Sequence, residues 1–171
     1  MKKITRNAQG FFNISFILNS KDFSVAVSPK ETLLDLIRRL GYKGTKRGCD
    51  SGDCGSCAII MNSVAVVSCV LPALYADGKE IITIEGLGDV SNPHPIQSAF
   101  VEAGAVQCGF CIPGMIMTTK FLLNRIENPD EKTIKHYLDG NLCRCTGYIK
   151  QVNAVKLASS KLKNIKNRKW R

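Results

Sequence analysis

No stretch of this 171-residue chain comes near the roughly 18 consecutive apolar residues that a membrane span requires, so no membrane association is expected. Aromatic residues are few, at 7%, and none are interleaved with a basic surface in the way nucleic-acid binding favours. Acids are scarce too, 14 against 24 Lys and Arg, and none occurs from Lys150 to Arg171, where eight bases crowd together. Such a run suits a solvated tail or a contact to an acidic partner. The opening M-K-K-I-T-R-N-A-Q-G-F-F-N-I-S-F-I-L begins with charge as a signal peptide does. Polar residues break its apolar part, however, and neither a small-residue cleavage site nor a twin-arginine signal accompanies it. The expected location is the cytoplasm, where thiols stay reduced. What remains is a globular composition, 44% apolar, long enough for one ordinary domain or two small ones.

Cysteine, by contrast, is plentiful: eight residues fall into two sets of four, and in a reducing compartment they argue for metal rather than disulfides. The first set lies in K-R-G-C-D-S-G-D-C-G-S-C. It places Cys49, Cys54 and Cys57 at the spacing C-x4-C-x2-C, with Cys69 downstream. That is the plant-type ligand run for a two-iron, two-sulfur (2Fe-2S) cluster. Gly48, Gly52 and Gly55 stand between the thiols. Glycine allows the positive φ and close backbone approach with which a loop wraps an inorganic core and turns N–H groups toward sulfur.

The second set comprises Cys108 and Cys111 in Q-C-G-F-C, and Cys143 and Cys145 in N-L-C-R-C-T-G. Two helices are expected between the pairs, so helix packing could bring all four together. Pro113 and Gly114 mark a helix starting beside the metal with its positive end toward it. On spacing alone a four-thiolate zinc site stays open here, although C-x-C is a less usual half-site than C-x2-C. If both sets hold clusters carrying about −2 each with their thiolates, the formal charge falls from +10 to about +6.

The periodicity divides the chain. Phe11–Leu18 and Phe23–Val27 read as strands around Asn19-Ser20-Lys21. A helix is expected next, with Ser28 as N-cap, Pro29 at its first position, Glu31 closing a capping box and Gly41 beyond its end. Leu33, Leu34, Ile37 and Leu40 form its apolar stripe. Ala58–Met61 and Val64–Val67 flank Asn62-Ser63 as a second hairpin, and Ile81–Ile84 is a further strand candidate. Gly86–Pro95 has the composition of a linker. Beyond it the pattern becomes helical over Pro95–Ala103, Pro113–Ile126, a segment capped by Asp130 and running to Leu138, and Val152–Leu162. The expected fold is α+β. Its first part is a β-grasp, plant-type ferredoxin-like domain over residues 1–88, and its second a four-helix-bundle domain over 89–171 ending in a basic tail.

Several motifs resemble the iron–sulfur small subunit of the xanthine dehydrogenase/aldehyde oxidase family of molybdenum hydroxylases. They are C-D-S-G-D-C-G-S-C, S-C-V-L-P-A, I-T-I-E-G-L, G-A-V-Q-C-G-F-C-I-P-G-M-I-M and G-N-L-C-R-C-T-G-Y, and the likeness spans about Phe12–Leu157. As in that family, and unlike plant ferredoxins, only eleven residues separate Cys57 from Cys69. The resemblance implies an electron-transfer subunit with no catalytic residue of its own. A large partner holds the molybdenum–pterin cofactor and substrate, and a medium partner holds FAD. Electrons leave molybdenum through the helical-domain 2Fe-2S cluster, pass to the ferredoxin-domain cluster and reach the flavin. It also implies that Gln107 contacts the pterin and that the sulfur of Cys145, a cluster ligand, accepts a hydrogen bond from it. Xanthine is the first substrate expected from the resemblance. Aldehydes, nicotinate-type heterocycles and carbon monoxide stay open, as does a free two-cluster carrier. A zinc-stabilised nucleic-acid module is the reading that the metal motifs and sparse aromatics oppose. The tail after Leu157 matches no family motif.

Overall fold

The computed structural model describes residues 10–145 and 147–168, with side chains as far as Ile165. Two-residue turns close both hairpins of its sheet. Strands β1 (Phe12–Leu18) and β2 (Lys21–Val27) are joined by Asn19 and Ser20 at φ 50° and 63°. Strands β3 (Ala58–Met61) and β4 (Val64–Val67) are joined by Asn62 and Ser63 at 46° and 67°. Paired left-handed residues give a turn whose twist matches that of the strands. Lys21, expected in the turn, pairs with Leu18 as the first residue of β2. Along β1, Ile14, Phe16 and Leu18 face the core while Asn13, Ser15 and Ile17 face out.

Strand β5 (Glu80–Ile82) enters between the hairpins, parallel to β1 and antiparallel to β3, giving the order β2-β1-β5-β3-β4. It stops short of the expected Ile84. The Asn19 side chain takes over at Thr83, accepting from its N–H and donating to its Oγ1, both at 2.9 Å. The chain then closes a single 3-10 turn over Ile84–Gly86.

Helix α1 (Leu33–Arg39) packs Leu33, Leu36 and Ile37 against Ile14, Phe16 and Ile81 of the sheet. It starts one turn later than the sequence predicts, capped by Thr32 with Asp35 reciprocating. Ser28 and Glu31 still bond, the Ser28 N–H to the Glu31 carboxylate at 3.3 Å, but around a turn. The reason is tertiary. The Leu33 N–H donates to the Leu71 carbonyl at 2.7 Å and the Ala73 N–H to the Glu31 carbonyl at 2.8 Å, holding Thr32 extended in a bridge beside Pro72. Leu36 joins the buried stripe, and Leu40 is half-buried at the C-cap.

Four helices follow: α2 (Pro95–Glu102), α3 (Ile112–Arg125), α4 (Glu131–Leu138) and α5 (Ile149–Arg168). His94 with Gln97 caps α2, and Asp130 caps α4 through the Thr133 N–H at 2.8 Å. Ile96, Phe100, Met115, Leu122, Ile134 and Val155 form their common core. Helix α3 also lies against the sheet, its fully buried Met117 packed on Ala58 and Ile60 of β3. Burying such a side chain contributes about 1.5–3 kcal/mol, so the sheet and the bundle are cemented by one shared helix. Helix α5 runs well past the expected Leu162. Lys156 pairs with Glu131 and Lys161 with Glu102, both at 2.7 Å, so part of the basic run is bound to the bundle. Trp170 lies outside the described residues. The result is the expected α+β architecture, and among the described residues no helix is long and apolar enough to cross a membrane.

Candidate metal centres

The first cysteine loop connects α1 to β3. Cys57 ends it against the start of β3, where its carbonyl accepts both the backbone N–H of Ser68 at 3.3 Å and the Ser68 hydroxyl at 2.8 Å. That double bond brings Cys69 beside Cys57, and the two pack with Leu34 in a small apolar cluster. Cys49, at the other end of the loop, is exposed. Its sulfur accepts the Ser51 N–H at 3.5 Å. Gly48 is required here by space, because a Cβ would stand 2.6 Å from the Cys54 sulfur.

The second set is assembled from two connections. Cys108 and Cys111 lie between α2 and α3, with Cys111 as the residue that begins α3. Cys143 and Cys145 lie between α4 and α5. Tyr148 closes this loop in a left-handed conformation, φ 70°, and its hydroxyl accepts the Cys143 N–H at 2.8 Å. Cys108 and Cys145 are exposed, with sulfurs 3.6 Å apart, while Cys111 is buried beside Cys143.

In both sets the sulfurs meet two by two: Cys49 with Cys54, Cys57 with Cys69, Cys108 with Cys145, and Cys111 with Cys143. Among the described residues no three Cys, His, Asp or Glu side chains converge on one point as a single ion would need. Thiols grouped two by two suit a core of two irons, which would take one pair each, better than one zinc. The acid–base character of the thiols agrees. Burial, then the neighbouring thiols, push Cys69 and Cys111 each up to about 12. The hydrogen bond with Cys108 also raises Cys145. Cys49 is lowered, to about 6, by hydrogen bonds from Ser51 and then from Cys54. Four adjacent thiols cannot all ionise without added positive charge, and ferric iron supplies it.

The two centres are stitched together. The Leu142 N–H, one residue before Cys143, donates to the carbonyl of Cys54 at 2.9 Å. Beside it the buried Asn141 amide donates to the Gly55 carbonyl at 3.1 Å across 86 residues of sequence. Gly55 and Gly114 make this approach possible. A Cβ on Gly55 would collide with the Gly140 carbonyl, and one on Gly114 with the Gly55 carbonyl. Asn141 and Tyr148 flank cysteines in the sequence, yet their partners lie too far along the chain, or are reached through too unusual a backbone turn, for spacing to disclose their roles. Gln107, named from the resemblance, is exposed immediately before Cys108.

Fold and site together define an iron–sulfur protein with two centres. Residues 16–83 match the family model described as a 2Fe-2S iron-sulfur cluster binding domain, and residues 83–156 match that of the [2Fe-2S] binding domain. The chain is 43% identical over 165 residues to the nicotinate dehydrogenase small FeS subunit of Eubacterium barkeri, covering 96% of this chain and 100% of that one. With the xanthine dehydrogenase iron–sulfur-binding subunit of Escherichia coli O157:H7 the identity is 42%, over 83% of this chain and 91% of the other. The crystal structure of quinoline 2-oxidoreductase from Pseudomonas putida 86 superposes with a TM-score of 0.86 at 34% identity, covering 90% of this chain and 97% of that one. Aldehyde oxidoreductase from Desulfovibrio gigas gives the same TM-score at 37% identity, with 90% of this chain matching 17% of that larger one. The chain belongs to the family of small iron–sulfur subunits of molybdenum hydroxylases.

Proposed function

We propose that this chain relays electrons from a molybdenum–pterin site on a large partner subunit, through two 2Fe-2S clusters, to FAD on a medium partner subunit. Cys49, Cys54, Cys57 and Cys69 hold one cluster in a domain over residues 1–88. Cys108, Cys111, Cys143 and Cys145 hold the other in a domain over 89–171. When bound, each cluster takes up and releases one electron at a time. The observation that carries the reading is the Leu142 N–H to Cys54 carbonyl bond, 2.9 Å, which connects the backbones of the two cysteine loops directly. A structural pair of metal sites has no need of such contact; a relay does.

The ends of the relay differ. Val106, Phe110 and Leu142, which flank the second set in sequence, are 40%, 46% and 55% exposed. Apolar surface of that kind favours a permanent partner over a free carrier. Gln107 beside them offers an amide donor and acceptor to the pterin, and the Cys145 sulfur a further acceptor. Cys49 is the exposed thiol of the first set, and in the proposed relay the electron leaves for the flavin from this set.

The substrate bound by the large partner is a nitrogen heterocycle, nicotinate before xanthine. Support comes from the extent of the likeness, which covers 96% of the chain for the nicotinate dehydrogenase subunit and 83% for the xanthine dehydrogenase subunit. The chain purified with its partners should contain about four irons and four sulfides, with two distinct rhombic paramagnetic resonance signals on reduction. Nicotinate should reduce both. A single cluster or stoichiometric zinc would refute the relay; reduction by xanthine but not nicotinate would refute only the substrate.

A further inference from the structure

Helix α5 buries an amide among apolar neighbours. Gln151 has no exposed surface and stands on the same helix as the buried Val152, Ala154, Val155 and Ala158. Its amide nitrogen reaches two groups from opposite halves of the second cysteine set. One is the carbonyl oxygen of Ala105, three residues before Cys108, at 3.2 Å, and the other is the sulfur of Cys143 at 4.0 Å. The amide has two hydrogens, one for each. Burying a polar group costs free energy unless it is bonded, so packing alone does not select glutamine at this position.

We propose that Gln151 is a positioning residue that raises the reduction potential of the second centre by directing an N–H at the Cys143 sulfur. The inference rests on the assignment of Cys143 as an iron ligand. Reduction adds negative charge that is shared with the ligand sulfurs, and a donor aimed at sulfur stabilises the reduced form more than the oxidised one. The bond to Ala105 fixes the amide so that its second hydrogen stays on the sulfur. Cys143 thereby receives two donors, since the Cys145 backbone N–H also points at its sulfur from 3.5 Å.

The test is a redox titration of the iron-loaded full chain, followed by paramagnetic resonance, in which the first centre serves as an internal control. Gln151→Met keeps the volume and removes both donors. The reduced-to-oxidised ratio of the second centre at a given potential should fall about threefold to tenfold, tenfold being about 59 mV for one electron, with the first centre unmoved. Two full centres with an unchanged second midpoint would overturn the role of Gln151 alone. A second set lacking iron in the unaltered chain would overturn the ligand assignment and this inference together. Should Gln151→Met fail to fold, glutamine side chains labelled with 15N in a Gln107→Ala background decide the question. A side-chain nitrogen coupling to the reduced second centre supports the contact, and its absence overturns it.

Discussion

Alanine at Gly114 puts a methyl group into the seam between the two cysteine loops. Its Cβ would fall well inside contact distance of the Gly55 carbonyl oxygen and 3.0 Å from the Ser56 Cα. Both obstacles are backbone, so no side-chain rotation can relieve them. Two effects oppose each other. Alanine in place of glycine favours the helix by about 1 kcal/mol, while forcing atoms into a packed contact costs about 1–3 kcal/mol. The clash also pushes α3 off the loop and strains the Leu142–Cys54 and Asn141–Gly55 hydrogen bonds, 2.9 and 3.1 Å, each contributing about 0.5–1.5 kcal/mol. The expected net loss is about 1–3 kcal/mol, together with slower electron exchange between the centres. Urea unfolding of the iron-loaded chain measures it, with Gly140→Ala as control, since a Cβ there meets nothing within 4 Å. A Gly114→Ala protein as stable as the parent would show that the helix and the loop are not in contact and that the seam is drawn wrongly.

Asn141→Ala leaves the Gly55 carbonyl without its buried donor and should cost about 1–3 kcal/mol in the same unfolding assay. Combined with Gly114→Ala the losses should be less than additive, because both act on one contact. Gln107→Ala should leave iron content intact but slow reduction of the second centre from molybdenum, or loosen the pterin, by about 1–3 kcal/mol; unchanged rates with full molybdenum occupancy would make Gln107 merely structural. Asp35 is held below the ordinary carboxylate range by its hydrogen bond with Thr32 and by Arg47. Because its folded pKa is depressed, the stability it contributes is present above the ordinary carboxylate value and is lost as pH falls through the lowered one. Asp35→Asn should therefore flatten the acid limb of the stability profile and leave the neutral limb's shape unchanged.

Much of this molecule is written in short-range chemistry. The Asn62-Ser63 turn and the Asp130 cap depend on residues a few positions apart, and each stands in the structure where the sequence alone placed it. The change from a period of two to a helical period divides sheet from bundle for the same reason. Long-range contacts decided the rest. Ser28/Glu31 and Thr32/Asp35 are both competent to start α1, and only the hydrogen bonds of residues 31–33 with 71–73 select the second. Strand β5 ends at Ile82 because a side chain from the first hairpin turn takes the Thr83 N–H. The basic run after Lys150 suits a solvated tail or a contact to an acidic partner, yet Glu131 and Glu102, on other helices of the same chain, hold Lys156 and Lys161. Most of all, the spacing of eight cysteines determines that two centres exist, but says nothing of their separation. The buried Asn141 amide, reaching the Gly55 carbonyl across 86 residues of sequence, joins the two loops, and a contact of that kind depends on the packing of α3 against β3, which no local pattern encodes.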